Sequence, residues 1–89
     1  MRSVGVVGAG TMGGGIAHVA AAAGFEIFLH DISPALLERG LRRISTDVAR
    51  GSERGRTTPE EASAILSRIS ARPVLEDLGS CDIIIEAVV

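Results

Sequence analysis

Apolar positions change their spacing several times along this chain, and each change marks an element. Val4, Val6 and Val7 form a short, nearly continuous apolar run that ends in glycine, which predicts a strand over Ser3–Gly8 buried on both faces. Met12, Ile16, Val19, Ala20 and Ala23 then recur at helical spacing, and Gly24 stands where a left-handed residue closes a helix. Phe25, Ile27, Phe28 and Leu29 return to bulky, strand-favouring side chains, so Phe25–His30 reads as a second strand with Asp31 at its end. Ser33 and Pro34 suit an N-cap and a first helical position. After them Leu37, Leu41, Ile44 and Val48 make one apolar stripe, with Glu38, Arg39, Arg42 and Arg43 on other faces.

Polar Arg50–Thr57, with Gly51 and Gly55, predicts a break, and Thr58-Pro59-Glu60-Glu61 restarts a helix with a capping box. Ala62, Ile65, Leu66 and Ile69 form the stripe of that helix. Arg72–Leu75 is a short strand candidate, Glu76–Ser80 a turn, and Asp82–Val89 a buried strand. The succession β-α-β-α-α-β-β predicts an α/β fold: a Rossmann-type parallel sheet with flanking helices and the first strand central. The most apolar strand comes last and calls for a covering helix beyond it. Residues 1–89 are therefore expected to be the N-terminal part of such a domain, an incomplete sheet ending after its fourth strand.

Composition narrows the class. With 46% apolar residues in 89, one globular domain is expected, and a net charge of −2 lacks the positive field that nucleic acid requires. No apolar run approaches the roughly 18 residues of a membrane span, and the N-terminus lacks a signal-peptide pattern. Expected are a cytoplasmic protein, no membrane partner and no metal site. The single cysteine, Cys81, has neither a disulfide partner nor ligand-spaced neighbours and reads as a small core side chain.

Gly8-Ala9-Gly10-Thr11-Met12-Gly13 matches G-x-G-x-x-G. Alone this spacing is weak in a chain with eleven glycines. Here it follows a predicted strand, opens a helix and precedes a second strand ending in Asp31, 18 positions after Gly13, near the roughly 20 of a dinucleotide site. Gly8 permits the tight turn, Gly10 admits a pyrophosphate to the main chain, and Gly13 lets helix and sheet approach. The free amides of Thr11, Met12 and Gly13 and the helix dipole favour an anion at that point. Asp31 can accept hydrogen bonds from ribose hydroxyls and repels a 2′-phosphate, by about 4 kcal/mol for charges about 4 Å apart at an effective dielectric of about 20. NAD is thus expected over NADP. Arg39, Arg42 and Arg43 read as a solvated face. Arg50, Arg54 and Arg56 read first as a charged loop, with contact to an anionic ligand as the alternative. Neither His18 nor His30 has an acid–base partner at a suggestive spacing, and no residue is assigned to catalysis.

The run Val4-Gly5-Val6-Val7-Gly8-Ala9-Gly10-Thr11-Met12-Gly13-Gly14-Gly15-Ile16-Ala17, together with Asp31-Ile32-Ser33, the helix pair split near Gly55, and Leu75-Glu76-Asp77-Leu78 leading into Cys81-Asp82-Ile83-Ile84-Ile85-Glu86-Ala87-Val88, resembles the N-terminal domain of the 3-hydroxyacyl-CoA dehydrogenase family. The likeness runs almost end to end. It implies that the glycine loop, Asp31 and Ile32 hold NAD, that Ala87 and Val88 pass beside it, and that the helix pair faces an acyl-CoA substrate. It also implies oxidation of (3S)-3-hydroxyacyl-CoA to 3-oxoacyl-CoA in fatty-acid or butyrate metabolism, by a protein that is a homodimer when complete. The histidine, glutamate, serine and asparagine that act on substrate in that family all fall after the strand ending at Val89. Two alternatives stay open: a β-hydroxyacid dehydrogenase of the 6-phosphogluconate type, sharing the Gly-x-Gly-x-Met-Gly loop, and a non-catalytic NAD-binding module.

Overall fold

A computed structural model describes residues 2–87 of the chain. In order it has β1 (Ser3–Val7), α1 (Thr11–Ala22), β2 (Glu26–His30), α2 (Pro34–Glu53), α3 (Pro59–Ser67), β3 (Ile69–Ala71), a 3-10 helix (Leu75–Ser80) and β4 (Ile83–Glu86). All pairings are parallel and the sheet order is β3-β2-β1-β4. The first strand is interior, as expected. Because the chain steps outward from β1 to β2 and β3 and then returns to the other side for β4, the sheet reverses its winding at the carboxyl ends of β1 and β4, where a doubly wound sheet opens a crevice.

Val4 and Val6 of β1 align with Ile27 and Leu29 of β2, so their side chains share one face. Against that face lie Ala17 and Ala21 of α1, Leu37, Ile44 and Val48 of α2, and Ala62 and Ile65 of α3. Every buried residue of α1 is glycine or alanine, which lets this helix sit close to the sheet. On the opposite face Leu78 of the 3-10 helix, 1% exposed, lies over Gly5, where an added Cβ would stand 3.0 Å from Leu78 Cδ2. The strand glycine makes room for that side chain.

The caps follow the sequence. Gly24 closes α1 with φ of 102°, Ser33 Oγ accepts from the Leu36 amide at 3.2 Å, and Thr58 and Glu61 bond reciprocally at 3.1 and 2.9 Å. At the first rung of β4, the Ser3 amide donates to Asp82 Oδ2 at 2.9 Å and the Asp82 amide donates to Ser3 Oγ at 3.1 Å. The Ser3 amide bond is the main reason the Asp82 carboxyl sits below the usual carboxylate range. Burial pushes the Cys81 thiol up, which disfavours its thiolate.

Four boundaries differ from expectation. The helix predicted to break at Arg50 continues to Glu53, because the terminating signal is Gly55, with φ of 74°, and not Gly51. The third strand is Ile69–Ala71 rather than Arg72–Leu75: Ile69 leaves the helical stripe to pair with Ile27, and Pro73 cannot extend the ladder. The turn predicted over Glu76–Ser80 is a 3-10 helix. The last strand, expected to be buried, is an outer strand at Ile83–Glu86 with β1 as its neighbour, leaving Ile83 and Ile84 51% exposed among the described residues. Val88 and Val89 lie outside the described residues. No helix among those described is long and apolar enough to cross a membrane.

Candidate functional site

The glycine turn joins β1 to α1 at the carboxyl edge of the sheet. Gly8 takes φ of 109°, a conformation that disfavours other residues, and its amide donates to the His30 carbonyl at 2.8 Å. Gly10 is the N-cap of α1 in an extended conformation and contributes no side-chain cap; no acidic residue occupies the first turn. Only at Gly14 does the helical ladder begin, its amide reaching Gly10 O at 2.8 Å, so the amides of Thr11, Met12 and Gly13 precede it as free helix-start donors. A Cβ on Gly10 would meet nothing within 4 Å, whereas one on Gly13 would fall 1.7 Å from the Gly8 carbonyl oxygen. Gly10 therefore keeps space open for a ligand, and Gly13 is demanded by packing.

Asp31 braces this turn. Its Oδ2 accepts from the Ala9 amide at 2.9 Å and its Oδ1 from the Ser33 amide at 2.8 Å, tying the glycine turn to the start of α2. Each carboxylate oxygen keeps a further lone pair for a ligand hydroxyl. Sequence spacing assigned Asp31 to a ligand; the structure adds the bracing role. Arg43, read as part of a solvated face, extends from α2 to donate to Thr11 Oγ1 at 2.7 Å and so places a guanidinium at the α1 start.

A cleft of about 880 Å³ lies along the carboxyl ends of the strands. Gly8, Gly10, Asp31, Ile32 and Ala87 all line it. Ile32 is 93% exposed, Ala87 is buried with its amide on Val7 O at 2.8 Å, and Leu36, Val74 and Leu75 add apolar surface. Ala9 and Gly13 are buried beneath the turn, and Thr11 and Met12 are exposed at the start of α1. Val88 lies outside the described residues. The free amides, the open side of Gly10 and the uncapped positive end of α1 together fit the pyrophosphate of a dinucleotide.

A second pocket, of about 480 Å³, lies between α1 and the α2–α3 pair. His18 of α1 joins Arg50, Arg54 and Arg56 there, and Thr57 Oγ1 is buried without a hydrogen-bond partner among the described residues. Sequence spacing gave no hint that His18 meets these arginines, because the meeting depends on helix packing. Gly40 was also missed: a Cβ there would stand 2.6 Å from the Ala9 carbonyl oxygen, so α2 backs directly onto the glycine turn. A glycine inside a helix costs about 1 kcal/mol against alanine, and that cost was the available signal.

Comparison with known proteins agrees with this geometry. A family model described as "3-hydroxyacyl-CoA dehydrogenase, NAD binding domain" matches residues 3–89. A 3-hydroxybutyryl-CoA dehydrogenase of Bradyrhizobium diazoefficiens is 46% identical over 89 residues, 100% of this chain and 30% of that protein. A fatty acid oxidation complex subunit alpha of a Psychrobacter species is 45% identical over 86 residues, 94% of this chain and 12% of that protein. The crystal structure of (S)-3-hydroxybutyryl-CoA dehydrogenase from Ralstonia eutropha superimposes with a TM-score of 0.94 at 36% identity, covering 100% of this chain and 31% of that one. The chain thus spans a third or less of the relatives it matches.

Proposed function

The chain belongs to the NAD-binding domain family of 3-hydroxyacyl-CoA dehydrogenase, and from that premise we propose that it supplies the cofactor-holding part of an enzyme oxidising (3S)-3-hydroxyacyl-CoA to 3-oxoacyl-CoA. The observation that carries the reading is the uncapped start of α1 opening, past an unobstructed Gly10, into the cleft that Asp31 borders. In this reading the amides of Thr11, Met12 and Gly13 bind the pyrophosphate, with Gly8 and Ala9 shaping the turn and the Arg43 guanidinium adding positive charge. Asp31 receives the adenosine ribose hydroxyls and disfavours a 2′-phosphate, Ile32 covers the base, and Ala87 borders the remainder of the cofactor. Bound NAD supplies the hydride acceptor. The chain's own part is to bind and orient. Proton transfer from the substrate hydroxyl is assigned to residues outside 1–89, as the family resemblance implies.

The acyl-CoA is proposed to meet the pocket between α1 and the α2–α3 pair, where Arg50, Arg54 and Arg56 offer cations to its phosphates and Thr57 offers a hydroxyl that has no partner within the described residues. The deciding experiment expresses the full native reading frame and follows NADH absorbance with acetoacetyl-CoA, with acetoacetate and with no substrate. Oxidation with the thioester alone is the expected result. Oxidation with the free acid moves the protein to the β-hydroxyacid dehydrogenases, and binding of NADH without oxidation in any condition makes it a non-catalytic module.

A further inference from the structure

One wall of the cofactor cleft is the short stretch from Pro73 to Leu75, whose Val74 and Leu75 are half exposed. Proline ends the ladder there, so something other than a strand must hold the wall. Arg72 does so through three contacts: its amide donates to the Leu29 carbonyl at 2.8 Å, its guanidinium lies 4.2 Å from the Phe28 ring centroid, and its carbonyl sits 2.7 Å from His30 Nδ1. In a parallel ladder the next rung would run from the Asp31 amide to the Arg72 carbonyl. That rung is not formed, and the imidazole of His30 takes its place. A carbonyl only accepts, so Nδ1 carries the proton. His30 is 6% exposed and lines the same cleft, next to Asp31.

We propose that His30 is a positioning residue for the adenosine end of the cofactor: its Nδ1–H bond to the Arg72 carbonyl fixes the Pro73–Leu75 wall so that this wall faces Ile32 across the cleft before ligand arrives. The proposal rests on the cofactor reading above. Its physical basis is preorganisation, since a wall already pinned to β2 loses little freedom when a flat base enters, whereas an unpinned one is ordered at the expense of affinity. Loss of one neutral hydrogen bond to the part-buried Arg72 carbonyl corresponds to about five- to tenfold in affinity.

The test is calorimetric titration of the full native protein and its His30→Ala and His30→Asn variants with ADP-ribose, and in parallel with reduced nicotinamide mononucleotide, which lacks adenosine. The expected result is ADP-ribose binding weakened about five- to tenfold in His30→Ala and largely restored in His30→Asn, whose side-chain amide can donate where Nδ1 does. The mononucleotide should bind all three alike. Unchanged ADP-ribose affinity in His30→Ala, no recovery in His30→Asn, or equal losses for both ligands overturns the proposal while leaving the cofactor reading intact. Parent protein that binds neither ADP-ribose nor NADH overturns that reading and the proposal with it. Should the variants fail to fold, nitrogen-15 NMR of the unaltered protein decides: the Nδ1–H tautomer of His30 is required, and the Nε2–H tautomer sinks the idea.

Discussion

At the scale of single residues, the three glycines of the turn are chemically identical yet answer to different constraints, and the constraints predict different phenotypes. Gly10 has open space where a side chain would go, so Gly10→Val should cost only the roughly 1 kcal/mol of a poorer N-cap while the added methyls occupy the proposed pyrophosphate position. Thermal melting should show a small shift, and NADH titration of the same sample a loss of at least about tenfold. Asp31 is harder to interpret because it braces the turn and is also the residue proposed to receive the ribose. Asp31→Ala should weaken NADH binding and narrow the gap to NADPH, but it also orphans the amides of Ala9 and Ser33, at about 1–3 kcal/mol of stability. Asp31→Asn separates the effects: it keeps an oxygen for one amide and removes the charge, so paired titrations should still show the narrowed gap. An unchanged NADH preference in both variants removes Asp31 from ribose recognition. Spacing read in its strand–turn–helix context made these residues legible, since a turn, an anion and a close helix each demand a glycine at a fixed offset. Gly40 stayed hidden because its role depends on where α2 lands, and the bond from the Ala9 amide to Asp31 because it depends on how β1 and β2 pair.

At the scale of elements, sequence signals were dependable wherever a cap or a period acts locally. Gly24, Ser33 and Thr58–Glu61 ended or began helices where their chemistry said they would. Signals failed where two local preferences compete. Gly51 is a weak breaker inside a helix whose stripe still packs at Val48, so α2 runs on until Gly55 supplies a positive φ. Ile69 fits both the stripe of α3 and a strand, and pairing with Ile27 decides for the strand. The same competition gives a prediction for α1, whose first turns carry Gly13, Gly14 and Gly15 in succession. At Gly14 a Cβ would meet Ile44 Cγ1 at 3.9 Å, an ordinary contact, so Gly14→Ala should raise the unfolding free energy by about 0.5–1 kcal/mol in urea titration. Gly13→Ala, aimed at the Gly8 carbonyl, should instead destabilise. Equal effects of the two would show that α1 stands farther from the turn than described.

At the scale of the whole molecule, two recesses are lined by separate sets of residues. One lies along the strand ends and takes its character from backbone amides and Asp31; the other lies among helices and takes its character from exposed arginines. That separation was invisible in the sequence, where Arg50 and Asp31 belong to consecutive elements, and it arises because α1 lies between them with its N-terminus at one recess and His18 at the other. Separate recesses should give separable phenotypes in the full native protein. Replacing Arg50, Arg54 and Arg56 with alanine should raise KM for an acyl-CoA by about tenfold or more, three exposed charge contacts being worth up to about 0.5–1 kcal/mol each. The Kd for NADH should not move. Because the charges are exposed, the parent KM should also climb with ionic strength from about 0.01 to about 0.15 M as screening shortens from about 30 to about 8 Å, while the triple variant responds much less. Parallel salt profiles for parent and variant, with KM unchanged, would mean that the three arginines are only solvated surface charges at the end of α2 and in the loop after it, and that no acyl-CoA phosphate is held there.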